Sequence, residues 1–325
     1  MVVIDGSEGG AAMVAKPINR DYQRDAKANY DRLLRLLEDH KNPHSLRDAA
    51  RESWVIYENF LDSYDLSNPD PKNTNRKRNR LFAAFLAESS LLHYFESTLL
   101  DLPEAQRLAK LQPQIFREER FRRAGIKDTH CHEAYSSDFD RYLAGLPRRE
   151  SIPRLLDLLY VVRCNHDHGQ KVLPKDWPEI RKRNAQIFEL VVPIQRNIAK
   201  LLFENVWTDG VFVYGTCKPT EGNFKHIEHL VERVSDDWYA KGELYDLGKY
   251  PGLVPTPAGK VRGCLLEGKE PGELLSLMDE LEGAAFLREL LWIKSEHEQE
   301  ALAWVYCYQG TLEGVPTWPQ IEWHS

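Results

Sequence analysis

Apolar residues along this chain fall into two textures, and the change comes near position 208. Before it they recur at helical spacing over long windows. Leu33, Leu34, Leu36 and Leu37 share one broad face, and Trp54, Val55, Tyr57, Phe60 and Leu61 share another. The window 81–100 reads as one long buried helix, and 152–163 (IPRLLDLLYVVR) as a further one, with Pro153 tolerated in its first turn. Asn42-Pro43 stops the first helix. A last helix is predicted from about 178 to 205, kinked at Pro193. The proline- and asparagine-rich stretch 66–80 (LSNPDPKNTNRKRNR) reads as a loop. Residues 1–20 are rich in Gly, Ala and Ser without a period and read as a mobile tail. No strand signal of comparable strength precedes Val211, so 21–207 is expected to be an all-α domain.

From Val211 onward the apolar runs are short, β-branched or aromatic, and separated by Gly and Pro. The windows 238–247, 261–266, 286–293 and 301–308 read as strands, and 271–281 as one amphipathic helix. The expected fold class is α+β multidomain. A helical domain is followed, over 208–325, by a small β-barrel with helices.

Charge follows the same division. Net charge is −7 over 325 residues. From Thr208 on there are 10 basic and 20 acidic residues, against 33 and 30 before it. The first part therefore stays open to a polyanionic partner such as RNA, or to mere drift in surface composition. Apolar content of 42% and charged content of 29% fit a globular chain. No window approaches the roughly 20 apolar residues that span a bilayer, and no membrane partner is expected. Nothing at the N-terminus reads as a secretory signal. Five scattered cysteines suit free thiols in a reducing cytoplasm.

Candidate chemistry concentrates in two places. The first is 211–222 (VFVYGTCKPTEG), a buried run breaking at Gly215-Thr216. A strand feeding such a loop leaves backbone N–H groups pointing outward, a cradle for an anion or oxyanion. Far along the chain, MDELEG (278–283) ends a helix with Glu282 beside Gly283. A carboxylate at an element's end beside a pocket has its pKa raised by burial and serves as a general base. Read alone, the same residues also describe a solvated glutamate next to a capping glycine. Together with LYDLGKYPGLV (244–254) and AWVY (303–306), in that order, these stretches resemble the gamma-glutamylcyclotransferase family, including its AIG2-like members.

That resemblance covers roughly 211–308 and implies a specific chemistry. Glu282 would carry the acid–base work, with Asp279 three residues earlier. The substrate would be a small gamma-glutamyl amide whose own α-amine attacks its γ-carbonyl, releasing an amine and 5-oxoproline. No metal or cofactor would be needed. Tyr214, Gly215, Thr216 and Cys217 would bind substrate through backbone amides, and Tyr306 and Arg288 would complete the binding set. Two positions depart from the family: Cys217 stands where leucine or Asn-Leu is usual, and Phe286 replaces the tyrosine of a Tyr-x-Arg pattern that ends at Arg288.

The second place is RCNHDHG (163–169), at the end of an apolar helix. Arg163 and His168 are spaced R-x4-H, and their surroundings resemble HEPN domains, small all-α domains that are often dimeric. The resemblance implies a metal-independent ribonuclease acting on single-stranded RNA, with a homodimer formed through the helical domain. Histidine would move a proton and arginine would hold the phosphate. A toxin- or defence-related role, or a non-catalytic RNA-binding or regulatory one, is the further alternative. The basic stretches 72–80 and 117–123 would track a phosphate backbone or simply be solvated. HCHE (130–133) lacks a second pair at zinc spacing and reads as a surface loop, so no metal is expected.

Overall fold

A computed structural model of the chain describes residues 20–38, 43–64, 74–89, 91–111, 129–148, 150–169, 178–319 and 322–323. The expected tail over 1–19, the Asn42 stop, the start of the basic loop at 66–73 and the basic stretch 117–123 lie outside the described residues. The chain divides into two compact units, Met1–Leu202 and Phe203–Ser325.

The first unit is helical among the described residues. Its helices are α1 (Arg20–Glu38), α2 (Pro43–Ser63), α3 (Thr74–Glu88), α4 (Leu92–Leu100), α5 (Pro103–Ala109), α6 (Thr129–Leu143), α7 (Ser151–Gly169) and α8 (Pro178–Leu202). Aromatic rings make its core. Phe82 on α3 meets Phe60 of α2 edge-on at 5.4 Å and Phe95 of α4 at 5.9 Å, and Tyr57 packs on it at 5.2 Å. One buried polar chain ties three helices: Tyr57 Oη donates to Asn79 Oδ1 (3.0 Å), and Asn79 Nδ2 donates to Asp157 Oδ1 (2.7 Å).

Several expectations change here. The single helix over 81–100 is two, α3 and α4. The Ser89 hydroxyl donates to the Phe85 carbonyl, a side-chain bond that competes with continuing the helix. The basic loop is helical from Thr74, and two of its arginines are ion-paired, Arg78 with Asp62 (2.7 Å) and Arg80 with Glu150 (3.0 Å). HCHE is not a surface loop. It opens α6, and Cys131 and His132 are buried, with His132 Nε2 2.9 Å from the Leu108 carbonyl. Burial lowers the His132 pKa. α8 continues through Pro193 to Leu202.

The second unit opens with a π-helical stretch, Phe203–Trp207. Strands β1 (Gly210–Val213), β2 (Val231–Ala240), β5 (Val261–Gly268), β6 (Phe286–Ser295) and β7 (Glu300–Tyr308) close into a barrel in the order β1-β5-β2-β6-β7. Closure comes from β1, antiparallel to β5 and parallel to β7. Strands β3 (Glu243–Asp246) and β4 (Pro251–Val254) form a separate hairpin. Helix α9 (Phe224–Ile227) is a single turn, and α10 (Pro271–Glu282) precedes β6.

Small residues on β7, Ala301 and Ala303, face the same core as Phe212, Leu265 and Ile293, so large rings fit inside a narrow barrel. Gly263 lets β1 and β5 approach, because a Cβ there would lie 2.2 Å from the Val213 carbonyl oxygen. The strand expected over 238–247 is divided at Lys241-Gly242, where β2 ends and the hairpin begins.

Phe82 is the ring that α2 and α4 share. Phe82→Ala is expected to destabilise the helical unit by about 3–5 kcal/mol. Urea unfolding of the full chain followed by circular dichroism measures this, and a loss under about 1 kcal/mol would contradict the packing described.

Candidate active site

Strand β1 delivers Tyr214 to the rim of the barrel. Its buried hydroxyl donates to the Tyr306 carbonyl of β7 (2.7 Å) and accepts from the Leu253 amide of β4 (3.2 Å). One side chain thus fixes the strand end, the barrel wall and the hairpin. The chain then turns over residues 215–218, with the Lys218 amide donating to the Gly215 carbonyl (3.0 Å). In a turn closed this way the closing bond uses the amide of the fourth residue, not those of the two central ones. Among the described residues no protein acceptor takes the amides of Thr216 and Cys217. Asn223, which also lines the cavity, braces the turn: its amide donates to the Thr216 carbonyl (3.0 Å) and its Nδ2 to Thr216 Oγ1 (3.0 Å).

Helix α10 supplies the facing group. Pro271 starts it, and Leu274, Leu275 and Met278 bury one face. Gly283, at φ +69°, takes the chain out of the helix, its amide donating to the Asp279 carbonyl (3.2 Å). Glu282 is the last helical residue. It lines a cavity of about 220 Å³ together with Tyr214, Gly215, Thr216 and Cys217. Leu281, Tyr250, Pro251 and Phe286 supply apolar wall, and Tyr250 meets Phe286 edge-on at 5.9 Å.

No lysine, arginine or histidine is among the described residues lining this cavity. Burial therefore acts on Glu282 with little opposition and raises its pKa to about 7. The one opposing influence is a hydrogen bond from the Cys217 thiol, which favours the carboxylate. Burial, with Glu282 adding to it, pushes the Cys217 thiol up to about 12. Near neutral pH it is a protonated donor and no nucleophile.

The other residues expected at the site separate into two groups. Tyr306 borders the cavity, but its hydroxyl is held beneath α10, 2.6 Å from Asp279 Oδ1 and 3.2 Å from the Leu275 carbonyl oxygen. Arg288 does not line the cavity. Its guanidinium is ion-paired with buried Glu204 of the π-helical stretch, lies 3.5 Å from Asp279, and stacks 4.8 Å over Trp304. Two carboxylates hold it where a substrate was expected. In the helical unit, Arg163 on α7 lies 3.5 Å from Glu58 on α2. The side chain of His168 lies outside the described residues.

Sequence reasoning missed Asn223 and Tyr250. Asn223 directly precedes α9, a position where asparagine is a known start signal. Tyr250 falls in the stretch 244–254, where nothing local tells which side of a hairpin tip faces a cavity.

Residues 211–325 match the family model for gamma-glutamyl cyclotransferase, AIG2-like. The gamma-glutamylcyclotransferase family protein ytfP of Citrobacter rodentium is 32% identical over 109 residues, covering 86% of that protein and 32% of this chain. YtfP of Escherichia coli K12 is 29% identical over 115 residues, covering 94% of that protein and 35% of this chain. Among solved structures, the solution structure of ytfP from Escherichia coli is 26% identical, with 94% of that chain and 35% of this one covered and a TM-score of 0.24. YkqA from Bacillus subtilis is 19% identical, with 38% of that chain and 35% of this one covered and a TM-score of 0.27. Through its second unit, the chain belongs to the gamma-glutamyl cyclotransferase, AIG2-like family.

A folded pKa near 7 has a sign that stability can test. An unfolded glutamate titrates near 4.3. Between that value and about 7 the folded state binds more protons than the unfolded one, so Glu282 lowers stability as pH rises across this window. Glu282→Gln removes the effect. Its stability advantage over the parent is expected to grow from near nil at pH 4 to about 3–4 kcal/mol at pH 8. Paired urea titrations measure the difference, and one that does not change with pH would contradict the buried carboxyl.

Proposed function

We propose that the barrel unit is a gamma-glutamylcyclotransferase-like enzyme with Glu282 as general base and acid. The observation that carries this is the shared cavity: a carboxyl group with a pKa near 7 faces two unpartnered backbone amides. A general base works best when its pKa lies near the operating pH.

The substrate is a gamma-glutamyl amide folded so that its α-amine reaches its own γ-carbonyl carbon, a near-attack geometry that a small closed cavity favours. Glu282 takes a proton from the substrate ammonium. The freed amine forms the new C–N bond, and charge builds on the carbonyl oxygen. The amides of Thr216 and Cys217 are placed to receive negative charge, on that oxygen or on the substrate carboxylate. The tetrahedral intermediate then collapses. As the old C–N bond breaks, Glu282 returns its proton to the departing nitrogen; the ring nitrogen then gives its second proton to the freed Glu282 carboxylate, which passes it to the released amine, so that 5-oxoproline and an ammonium are left. Atoms and charge balance within substrate and Glu282, with Cys217 assisting as a hydrogen-bond donor to the carboxylate.

The rival reading, RNA cleavage by the helical unit through Arg163 and His168, has an observation against it. The Glu58 carboxylate beside Arg163 places negative charge where a phosphate would have to bind. The assignment of that unit as HEPN-like rests on the sequence pattern at 163–169.

Release of 5-oxoproline from a panel of gamma-glutamyl amides tests the proposal. The parent chain is expected to turn over at least one of them, and Glu282→Gln to lose about 10²–10⁴ in kcat. Silence across the panel, or full activity in the variant, would end it. Activity is expected to rise with pH through about 7, as the Glu282 carboxylate forms. Cys217→Ala removes the donor that favours the carboxylate, so this rise moves to higher pH. A rise that stays in place or moves to lower pH would show that the thiol does not act on Glu282.

A further inference from the structure

The turn that presents the two amides is closed by Lys218, and the side chain of Lys218 leads away from the cavity. It is buried, 4% exposed. Its Nζ donates to Glu322 Oε1 (3.1 Å) and to the Trp323 carbonyl (2.7 Å). A lysine this deep in a protein needs a full set of partners to keep its charge. Both partners come from the last described residues of the chain.

That end segment is itself pinned along its length. The Asp246 amide donates to the Pro316 carbonyl (2.9 Å), Thr317 bridges to Tyr245, and the Trp318 amide donates to the Leu244 carbonyl (2.7 Å). The segment therefore runs beside β3, in the hairpin whose Leu253 amide is bound by Tyr214. Trp323 is buried in the barrel cluster with Trp238 and Val261. Glu322 has a second cation, Arg262 of β5, at 3.3 Å from its Oε2. Glu322 thus bridges the barrel wall and the turn.

We infer that Lys218 is a positioning residue: anchored by Glu322 and Trp323, it holds the turn at 215–218 in the shape that offers the Thr216 and Cys217 amides to an anion. Two bonds define that shape, from the Lys218 amide to Gly215 and from the Asn223 amide to Thr216. Gly215, Thr216 and Asn223, which make these bonds with Lys218, line the cavity, and Lys218 does not. The end segment is in this sense part of the active site, although none of its described residues lines the cavity. The catalytic consequence rests on the proposed function, whereas the mechanical one does not.

Amide hydrogen exchange resolved by NMR tests the inference on the full chain, comparing the parent with Lys218→Met and Glu322→Gln. Exchange of the Lys218 and Asn223 amides is expected to speed up about tenfold or more in both variants. Their double variant should be little faster than either alone, as for partners in one interaction. Amides in the middle of β7 should keep the parent's protection. For a turned-over gamma-glutamyl amide, KM should rise about tenfold, and any upward move of the pH midpoint should not exceed that of Cys217→Ala, since the loosened turn carries the thiol that donates to Glu282. Unchanged exchange at both amides in both variants overturns the inference, as does a drop in protection spread evenly over the barrel. Should Lys218→Met not fold, Glu322→Gln, which keeps the lysine, decides it alone. A parent that turns over nothing would refute the enzymatic reading and leave the exchange result to stand or fall by itself.

Discussion

A carboxyl group largely withdrawn from water without a cation beside it is unfavourable to ionise, and this barrel keeps one, partly buried, in that state. Glu282 sits at the end of α10 in a cavity whose described lining has no basic side chain. Arg288 is close in sequence and carries the charge that would relieve it. Glu204 and Asp279 hold that guanidinium instead. The polar balance of the site therefore depends on keeping two networks apart: a charged one beneath α10 and a near-neutral one in the cavity. Moving the arginine across would turn a group poised near neutrality into an ordinary carboxylate.

Barrel closure makes this separation possible. Parallel pairing of β1 with β7 brings Tyr214 to the Tyr306 backbone, so the turn after β1 starts from a fixed point. On β7, the Tyr306 hydroxyl holds Asp279 from below and fixes the helix that carries Glu282. One strand thus registers both halves of the site, the amides and the carboxyl. A site supported this way depends on packed strands and a helix more than on its loop.

Much of this was legible in the sequence where local chemistry is strong. Proline at the start of α10, its leucine spacing and Gly283 at its end mark the helix and put Glu282 at its exit. The short β-branched runs mark β5, β6 and β7 because they are the buried barrel wall. The first half of β2 was not legible, since VERVSDD is polar and mostly exposed, and Arg233, Asp236 and Asp237 meet their partners Glu267, Cys264 and Arg262 only once β5 lies beside them. HCHE misled for the opposite reason: polar residue types suggested a loop, but His132 satisfies its ring on the Leu108 carbonyl and goes inside. Arg288 is expected from the resemblance at the substrate, and the carboxylates beside it are not visible from local sequence. Its neighbours Glu204 and Asp279 lie 84 and 9 residues away, and only tertiary structure brings them together. The anchoring of Lys218 by the end segment left no local mark at all.

The most direct test of the account is the ionisation of Glu282 itself. Carboxyl-carbon NMR of the full chain labelled at glutamate, with Glu282→Gln used to assign the resonance, follows that one group through pH. The account predicts a midpoint near 7. A midpoint near 4.3, that of a solvated glutamate, would contradict it.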